Sequence, residues 1–225
     1  MLRSNTLVTF GTAQDLLDRL GGIPARRVLL DPRPGTATIR DVIRYVDGDD
    51  KRLVELVDGT LVEKAMGARE AFLGSLISHW MQVYLESTAD TGMVLGADGT
   101  LRIMPGLVRI PDVSYTAWEK LPKRRVPNEP VPHLVPDLAV EVISKGNTAG
   151  EMKRKLGEYL AAGIAEVWMV FPKSRSIRVY HPATGSMKLE IGDTLRSRVL
   201  AGFEMPLAKL FEKLEAEPPA KKRKS

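Results

Sequence analysis

Apolar positions along the chain change period several times, and each change marks an element. Residues 68–88 carry Phe72, Leu73, Leu76, Ile77, Trp80, Val83 and Tyr84 at helical spacing, a broad stripe that a sheet or another helix must cover. Two shorter helices are predicted over TAQDLLDRL (12–20) and TIRDVIRYV (38–46), each opening on Thr with Asp three positions later, the spacing of a reciprocal helix cap. In KRLVELVDGTLVEK (51–64), Asp58-Gly59 separates two alternating runs. Asp-Gly tolerates the positive φ angles of a two-residue turn, so a β-hairpin is predicted here.

Strand-like runs follow at MVLGADGTLRI (93–103) and VRIPDVSYTAW (108–118), then a basic, proline-rich loop, KLPKRRVPNEPVPHLVP (120–136). DLAVEVIS (137–144) reads as a central strand. Thr148 and Glu151 then form a capping box that opens a helix carrying Met152, Leu156, Tyr159 and Leu160 and ending at Gly163. EVWMVFP (166–172) and SIRVYHP (176–182) are further strands, and GFEMPLAKLFEKL (202–214) supplies a last amphipathic helix. A strand, a helical crossover and a parallel strand is the natural solution for 137–172, whereas the preceding meander is antiparallel. The expected class is α/β (α+β), a mixed sheet flanked by helices.

A chain of 225 residues with 44% hydrophobic positions supports one sizeable core. We expect one domain over 50–212, an N-terminal extension with two short helices over 1–49, and a basic tail over 213–225. The formal charge is +5, and the terminal KKRKS supplies +4 of it, so the body is nearly neutral. No run approaches the roughly 20 apolar residues of a membrane helix, and a soluble, cytoplasmic protein without membrane partners is expected. With no cysteine and only His79, His133 and His181, which lack metal-ligand spacing, thiol chemistry and thiolate-bound zinc are excluded. A catalytic metal would rest mainly on carboxylates.

Two strands carry Pro-Asp, giving Asp112 in RIPDVSYT and Asp137 in VPDLAVEVIS, the latter with Glu141. Alternation puts Asp137, Ala139, Glu141 and Ile143 on one face. Asp137 stands roughly 13 Å before Glu141 along the strand, too far to share an ion with it, and a turn or pairing role suits it better. If Asp112 and Glu141 converge, repulsion and lost hydration oppose folding unless a cation lies between them, and oxygen donors favour Mg²⁺ or Mn²⁺. Lys120, Lys123, Arg124 and Arg125 form either a phosphate-gripping cluster or a solvated loop.

The ordered motifs ELVDG (55–59), PDVS (111–114), DLAVEVIS (137–144) and KLGEYLAAGIAEVWMVFP (155–172) resemble those of the Uma-type restriction endonuclease family, over roughly residues 50 to 212. The resemblance implies the restriction-endonuclease-like PD-(D/E)XK fold, and with it hydrolysis of DNA phosphodiester bonds with Mg²⁺ (or Mn²⁺). It makes Asp112 the first acid and Glu141 the second, with the Val142 carbonyl as a further metal ligand. The E-x-K lysine position is taken by Ile143, and the family pattern recruits its lysine from the following helix. Helical spacing leaves Lys153 and Lys155 equal and sends Arg154 to solvent, with Lys145 a third candidate. The K-L-x-x-Y motif selects Lys155. Glu55 and Glu70 are further acids by resemblance, although Glu55 also reads as the solvated face of the hairpin and Glu70 as a helix-dipole acid. Cutting both strands of a duplex implies a homodimer. The alternative is a nuclease-fold module that binds nucleic acid or protein without catalysis.

Overall fold

The structure, a computed structural model, describes residues 8–88 and 92–215. The basic tail predicted over 213–225 lies outside the described residues from 216 onward.

Helix α1 (Ala13–Arg19) is capped reciprocally: the Thr12 hydroxyl accepts from the Asp15 amide at 3.0 Å, and Asp15 accepts from the Thr12 amide at 2.9 Å. In α2 (Ile39–Asp47) the Asp41 carboxylate accepts from the Thr38 amide at 2.8 Å. The hairpin β1 (Val54–Val57) and β2 (Thr60–Glu63) turns at Asp58-Gly59, whose φ angles are 48° and 66°, as the dipeptide predicts.

Helix α3 (Ala68–Glu86) is the long helix, but its buried line is Leu73, Ile77, Met81 and Leu85. Phe72 and Val83 are about half exposed, so the predicted stripe is broader than the face actually covered. The two predicted strand runs become four strands, because turns at Gly96–Gly99 and Gly106 break them: β3 (Gly92–Leu95), β4 (Leu101–Met104), β5 (Leu107–Arg109) and β6 (Val113–Ala117).

The proline-rich segment makes two short 3-10 turns before β7 (Leu138–Val142). Asp137 accepts from the Ala117 amide at 2.8 Å and pairs with Lys120 at 2.7 Å, a pairing role in keeping with its distance from Glu141. Then come α4 (Ala149–Ala162), β8 (Glu166–Phe171), β9 (Ser176–His181), β10 (Gly185–Leu189), β11 (Thr194–Arg196), β12 (Glu204–Pro206) and α5 (Leu207–Glu212).

Strands assemble as a six-stranded sheet, β10-β9-β8-β7-β6-β3, a four-stranded sheet, β2-β1-β5-β4, and the pair β11-β12. The β7/β8 pair is parallel, while β3/β6, β6/β7 and β8/β9 are antiparallel, so the expected crossover through α4 is the one formed. Alternation divides β7: Leu138, Val140 and Val142 join Leu73 and Ile77 of α3, whereas Ala139 packs with Tyr159 of α4.

The four-stranded sheet is also covered on both faces. Val54, Leu56 and Val108 pack on Val42 of α2, and Val57 and Leu107 join Leu16 and Tyr159. Every β1 residue is therefore buried, Glu55 included, which overturns the solvated-face reading of that acid.

The segment before α2 is tied to the rest by its backbone and by one glycine. Gly21 has φ +87°, and a Cβ there would meet the Glu151 amide nitrogen at 2.4 Å, a contact no side chain tolerates. The Gly21 carbonyl accepts from the Thr148 hydroxyl at 2.6 Å while that hydroxyl accepts from the Glu151 amide. Only half of the capping box predicted at α4 exists, because the Glu151 carboxylate turns away to Arg27, at 2.8 and 3.0 Å.

The burial register of α3 gives a direct expectation. Ile77→Ala should cost about 2–5 kcal/mol, whereas Phe72→Ala should stay within about 0.5 kcal/mol. Urea unfolding of the two variants measures both, and equal losses would mean that the covered face is the broader one.

Candidate active site

Glu141 owes its position to the pleat of β7, which sends it opposite Val140 and Val142 toward α4. The Asp112 amide donates to the Val140 carbonyl at 2.9 Å, and its Oδ2 accepts from the Val142 amide at 2.7 Å. Asp112 is thereby locked over β7 next to Glu141. Glu55 arrives from β1 in the other sheet. These carboxylates are almost wholly withdrawn from water, with Glu55 at 0%, Glu141 at 3% and Asp112 at 5% exposure.

Helix α4 lies across them. Its buried line is Glu151, Met152, Lys155 and Tyr159, and Lys155 and Tyr159, four apart, point the same way. Lys155 Nζ is 3.0 Å from Glu141 Oε1 and 3.0 Å from Glu55 Oε1. The Tyr159 hydroxyl donates to the same Glu141 oxygen at 2.5 Å. Lys153 is exposed on α4 and Lys145 is exposed in the preceding loop, so of the three candidate lysines Lys155 alone reaches the acids. Arg154, expected in solvent, instead pairs with Glu158 at 2.7 Å and Asp58 at 3.0 Å.

Two further cations complete the network. Arg109, on β5, donates to Glu55 at 2.6 Å and pairs with Glu158 on its other side. Lys64, at the end of the hairpin, lies 2.8 Å from Asp112 Oδ1 and donates to the Ala97 carbonyl at 2.9 Å. Sequence reasoning missed Lys64 and Arg109 and counted Tyr159 as core only. One signal was available: buried acids require cations, and Arg109 stands in RIPD three residues before Asp112 while Lys64 closes the strand that pairs with β1. Trp168 is core as expected, fully buried with its indole N–H donating to Glu166.

Glu70 is not brought to this cluster. It sits in the first turn of α3 and folds back over Gly67, where a Cβ would come within 2.4 Å of its Oε2. It lines a cavity of about 640 Å³ that Lys64 also borders. Val142 contributes its amide to Asp112.

Charge and burial pull the acids apart. Burial drives Glu55 upward, but Lys155 and Arg109, with hydrogen bonds from Lys155 and the Ile110 amide, hold it down at about 2. For Glu141 burial dominates, and the charges of Asp112 and Glu55 add to it. They outweigh Lys155 and Lys64 and leave Glu141 raised. Burial works against the Lys155 ammonium, yet Glu141 and Glu55 overcome it, so its pKa is raised and it stays cationic. The Tyr159 phenol is pushed well up by burial and then by Glu141 and Glu55, so it remains a hydrogen-bond donor.

Among the described residues, no group of three or more His, Asp or Glu side chains is arranged to hold a metal ion. The available donors are carboxylate oxygens on Asp112 and Glu141, a set suited to a hard cation that keeps several waters. Both carboxylates are at the same time paired with lysines, Asp112 with Lys64 and Glu141 with Lys155.

A mixed sheet with helices on both faces thus brings acids from neighbouring strands to a lysine on the crossover helix. The chain belongs to the Uma2 family, described as "Putative restriction endonuclease", which it matches over residues 41–208. Its structure is similar to the crystal structure of a putative nuclease belonging to DUF820 from Anabaena variabilis ATCC 29413. The TM-score is 0.63 at 17% identity, over 72% of this chain and 90% of that one, a likeness of fold. No curated protein matches the chain. The family description supports a nuclease-type function. Among the described residues no helix is long and apolar enough to cross a membrane.

The depressed Glu55 value fixes the sign of a pH effect. Its stabilising contribution is fully present above the ordinary carboxylate value of 4.5 and is lost as pH falls through about 2. That gap corresponds to on the order of 3 kcal/mol. Glu141, being raised, contributes with the opposite sign. Glu55→Gln should therefore be less stable than the parent by about 3–5 kcal/mol near neutral pH, and the difference should narrow as pH falls below 4.5. Chemical unfolding of both proteins at several pH values checks this; a constant gap would contradict it.

Proposed function

We propose that the protein is a metal-dependent endonuclease that hydrolyses DNA phosphodiester bonds. Asp112 and Glu141, with the Val142 carbonyl, would hold Mg²⁺ (or Mn²⁺). Residues 50–212 form the catalytic unit and 1–49 its N-terminal extension. The observation that carries the reading is Lys155 at 3.0 Å from Glu141. The lysine absent from position 143 is supplied by α4, in contact with the second acid.

Bound there, the ion supplies charge neutralisation and a more acidic water. In the net hydrolysis, the water oxygen would bond to phosphorus as the bond from phosphorus to the leaving sugar oxygen breaks, and the proton that the water gives up would end on that sugar oxygen. Lys155, held cationic, is not the base. It fixes Glu141 and Glu55 and sets a positive field beside them, while Tyr159 holds Glu141 by its shared oxygen. Burial of all three acids excludes competing water and strengthens these interactions. Cleavage of both strands of a duplex, in the cytoplasm, would use a homodimer with two such sites.

One observation favours a second reading, a nuclease-fold module that binds nucleic acid or protein without catalysis. Each acid already has a protein cation, Lys64 on Asp112 and Lys155 on Glu141 and Glu55. Metal binding separates the two readings. Replacing residues that merely orient metal ligands costs about 10–100-fold in affinity, so Asp112→Asn and Glu141→Gln should each weaken Mg²⁺ or Mn²⁺ binding at least that much in calorimetry. Glu141→Gln should also stop plasmid cleavage. A parent without carboxylate-dependent metal binding would sink the enzyme reading.

A further inference from the structure

The two lysines of the cluster differ in what they face. Lys155 is enclosed beside Glu55, Glu141 and Tyr159 and is 2% exposed. Lys64 borders the 640 Å³ cavity, whose rim carries Arg26, Arg69 and Lys145. These three are exposed and carry no salt bridge among the described residues. The remaining cation of the wall, Arg27, is committed to Glu151 at 2.8 Å and to the Glu63 carbonyl at 2.8 Å. Two acids, Glu63 and Glu70, also line the cavity, but the Glu70 carboxylate is turned back over the start of α3.

A second cavity, of about 370 Å³, is bordered by Asp112, Asp98, Gly74, Ser75 and Ser78, and it shares Met66 with the first. Lys64 binds Asp112 on one side and the Ala97 carbonyl on the other, and Ala97 also lines this second cavity. The Lys64–Asp112 pair thus stands where the two spaces meet. The basic rim and the buried lysine line one cavity and the first acid lines its neighbour, an arrangement that outlines a path from rim to acid.

We propose that this path receives one phosphodiester strand, with Arg26, Arg69 and Lys145 holding phosphates, and that Lys64 is the lysine that touches the reacting phosphate. Lys155 is then a positioning residue that acts through Glu141 and Glu55. The proposal rests on the nuclease reading and refines it. It also assigns substrate contact to Arg26, which precedes the family match at 41–208. The basic loop is a poorer candidate, because Lys120 pairs with Asp137 and Arg124 with Glu119.

Strand binding can be tested apart from catalysis by fluorescence anisotropy of a labelled mixed-sequence DNA duplex in EDTA, over a salt series. Each phosphate contact contributes about 0.9 to the slope of log affinity against log salt. Arg69→Ala with Lys145→Ala should weaken binding and reduce that slope by about 2. Lys123→Ala with Arg125→Ala, in the loop, should leave both unchanged. The reverse pattern overturns the path and leaves the nuclease reading standing, whereas a parent that binds no DNA overturns both. For Lys64, Lys64→Met should lower the cleavage kcat at least about 100-fold without weakening Mg²⁺ binding in calorimetry, and Lys64→Arg should recover part of it. Lys155→Met should weaken Mg²⁺ binding. Should Lys64→Met unfold because Asp112 loses its partner, Lys64→Met combined with Asp112→Asn removes both charges. That pair must bind DNA more weakly than Asp112→Asn alone, and equal binding overturns the assignment.

Discussion

Lys155 holds two carboxylates from two different sheets. One ammonium nitrogen lies 3.0 Å from Glu55 on β1 and 3.0 Å from Glu141 on β7, so the four-stranded and six-stranded sheets are joined at a charge. It offsets part of the cost of burying both acids, since an unpaired ionised carboxylate in a dry interior is prohibitively costly. Arg109 shares Glu55, Tyr159 shares Glu141, and Lys64 answers Asp112. Lys155 thus ties β1, β7 and α4 together at one point.

Stability alone does not call for such a network. A well-packed apolar replacement for buried ion pairs is commonly neutral or more stable, and the surroundings here already supply Ala139, Val167 and Ile164 as core. Structural ion pairs shift pKa values as catalytic ones do, so burial of these charges marks the cluster as a candidate site. The pKa pattern agrees: Glu55 is held low and Glu141 is driven high by burial, so neighbouring acids of one type are set to different proton affinities by their surroundings.

The segment before α2 is part of the same construction. Arg27 grips Glu151 at the start of α4, and Gly21 lets the backbone approach that helix end closely. Lys155 lies one turn further along the same buried line. An N-terminal arm that clamps the first turn of α4 therefore bears on where Lys155 ends up, and it places Arg26 on the rim of the cavity that Lys64 borders.

Local chemistry was legible from the residues themselves. Thr-x-x-Asp caps, the Asp-Gly turn, the alternation through DLAVEVIS and the αL glycine at Gly163 are decided within a few positions, so the helices, the hairpin and the parallel crossover could be read directly. Motif order also brought Asp112, Glu141 and Lys155 forward as one set, which the fold places in a single network. Other features depend on partners far away in the chain. Glu55 reads as solvated because alternation says only that it lies opposite Val54 and Leu56, and α4 covers that face from about a hundred residues later. Arg154 left solvent for Asp58, Glu151 left its capping box for Arg27, and Tyr159 proved to be both core and hydrogen-bond donor. The sequence by itself determined most of the helices, the first hairpin, the parallel crossover and the candidate acids, because dihedral preference and periodicity are local. Only the tertiary structure decided which charges are buried together, because desolvation and pairing depend on what packs above each face.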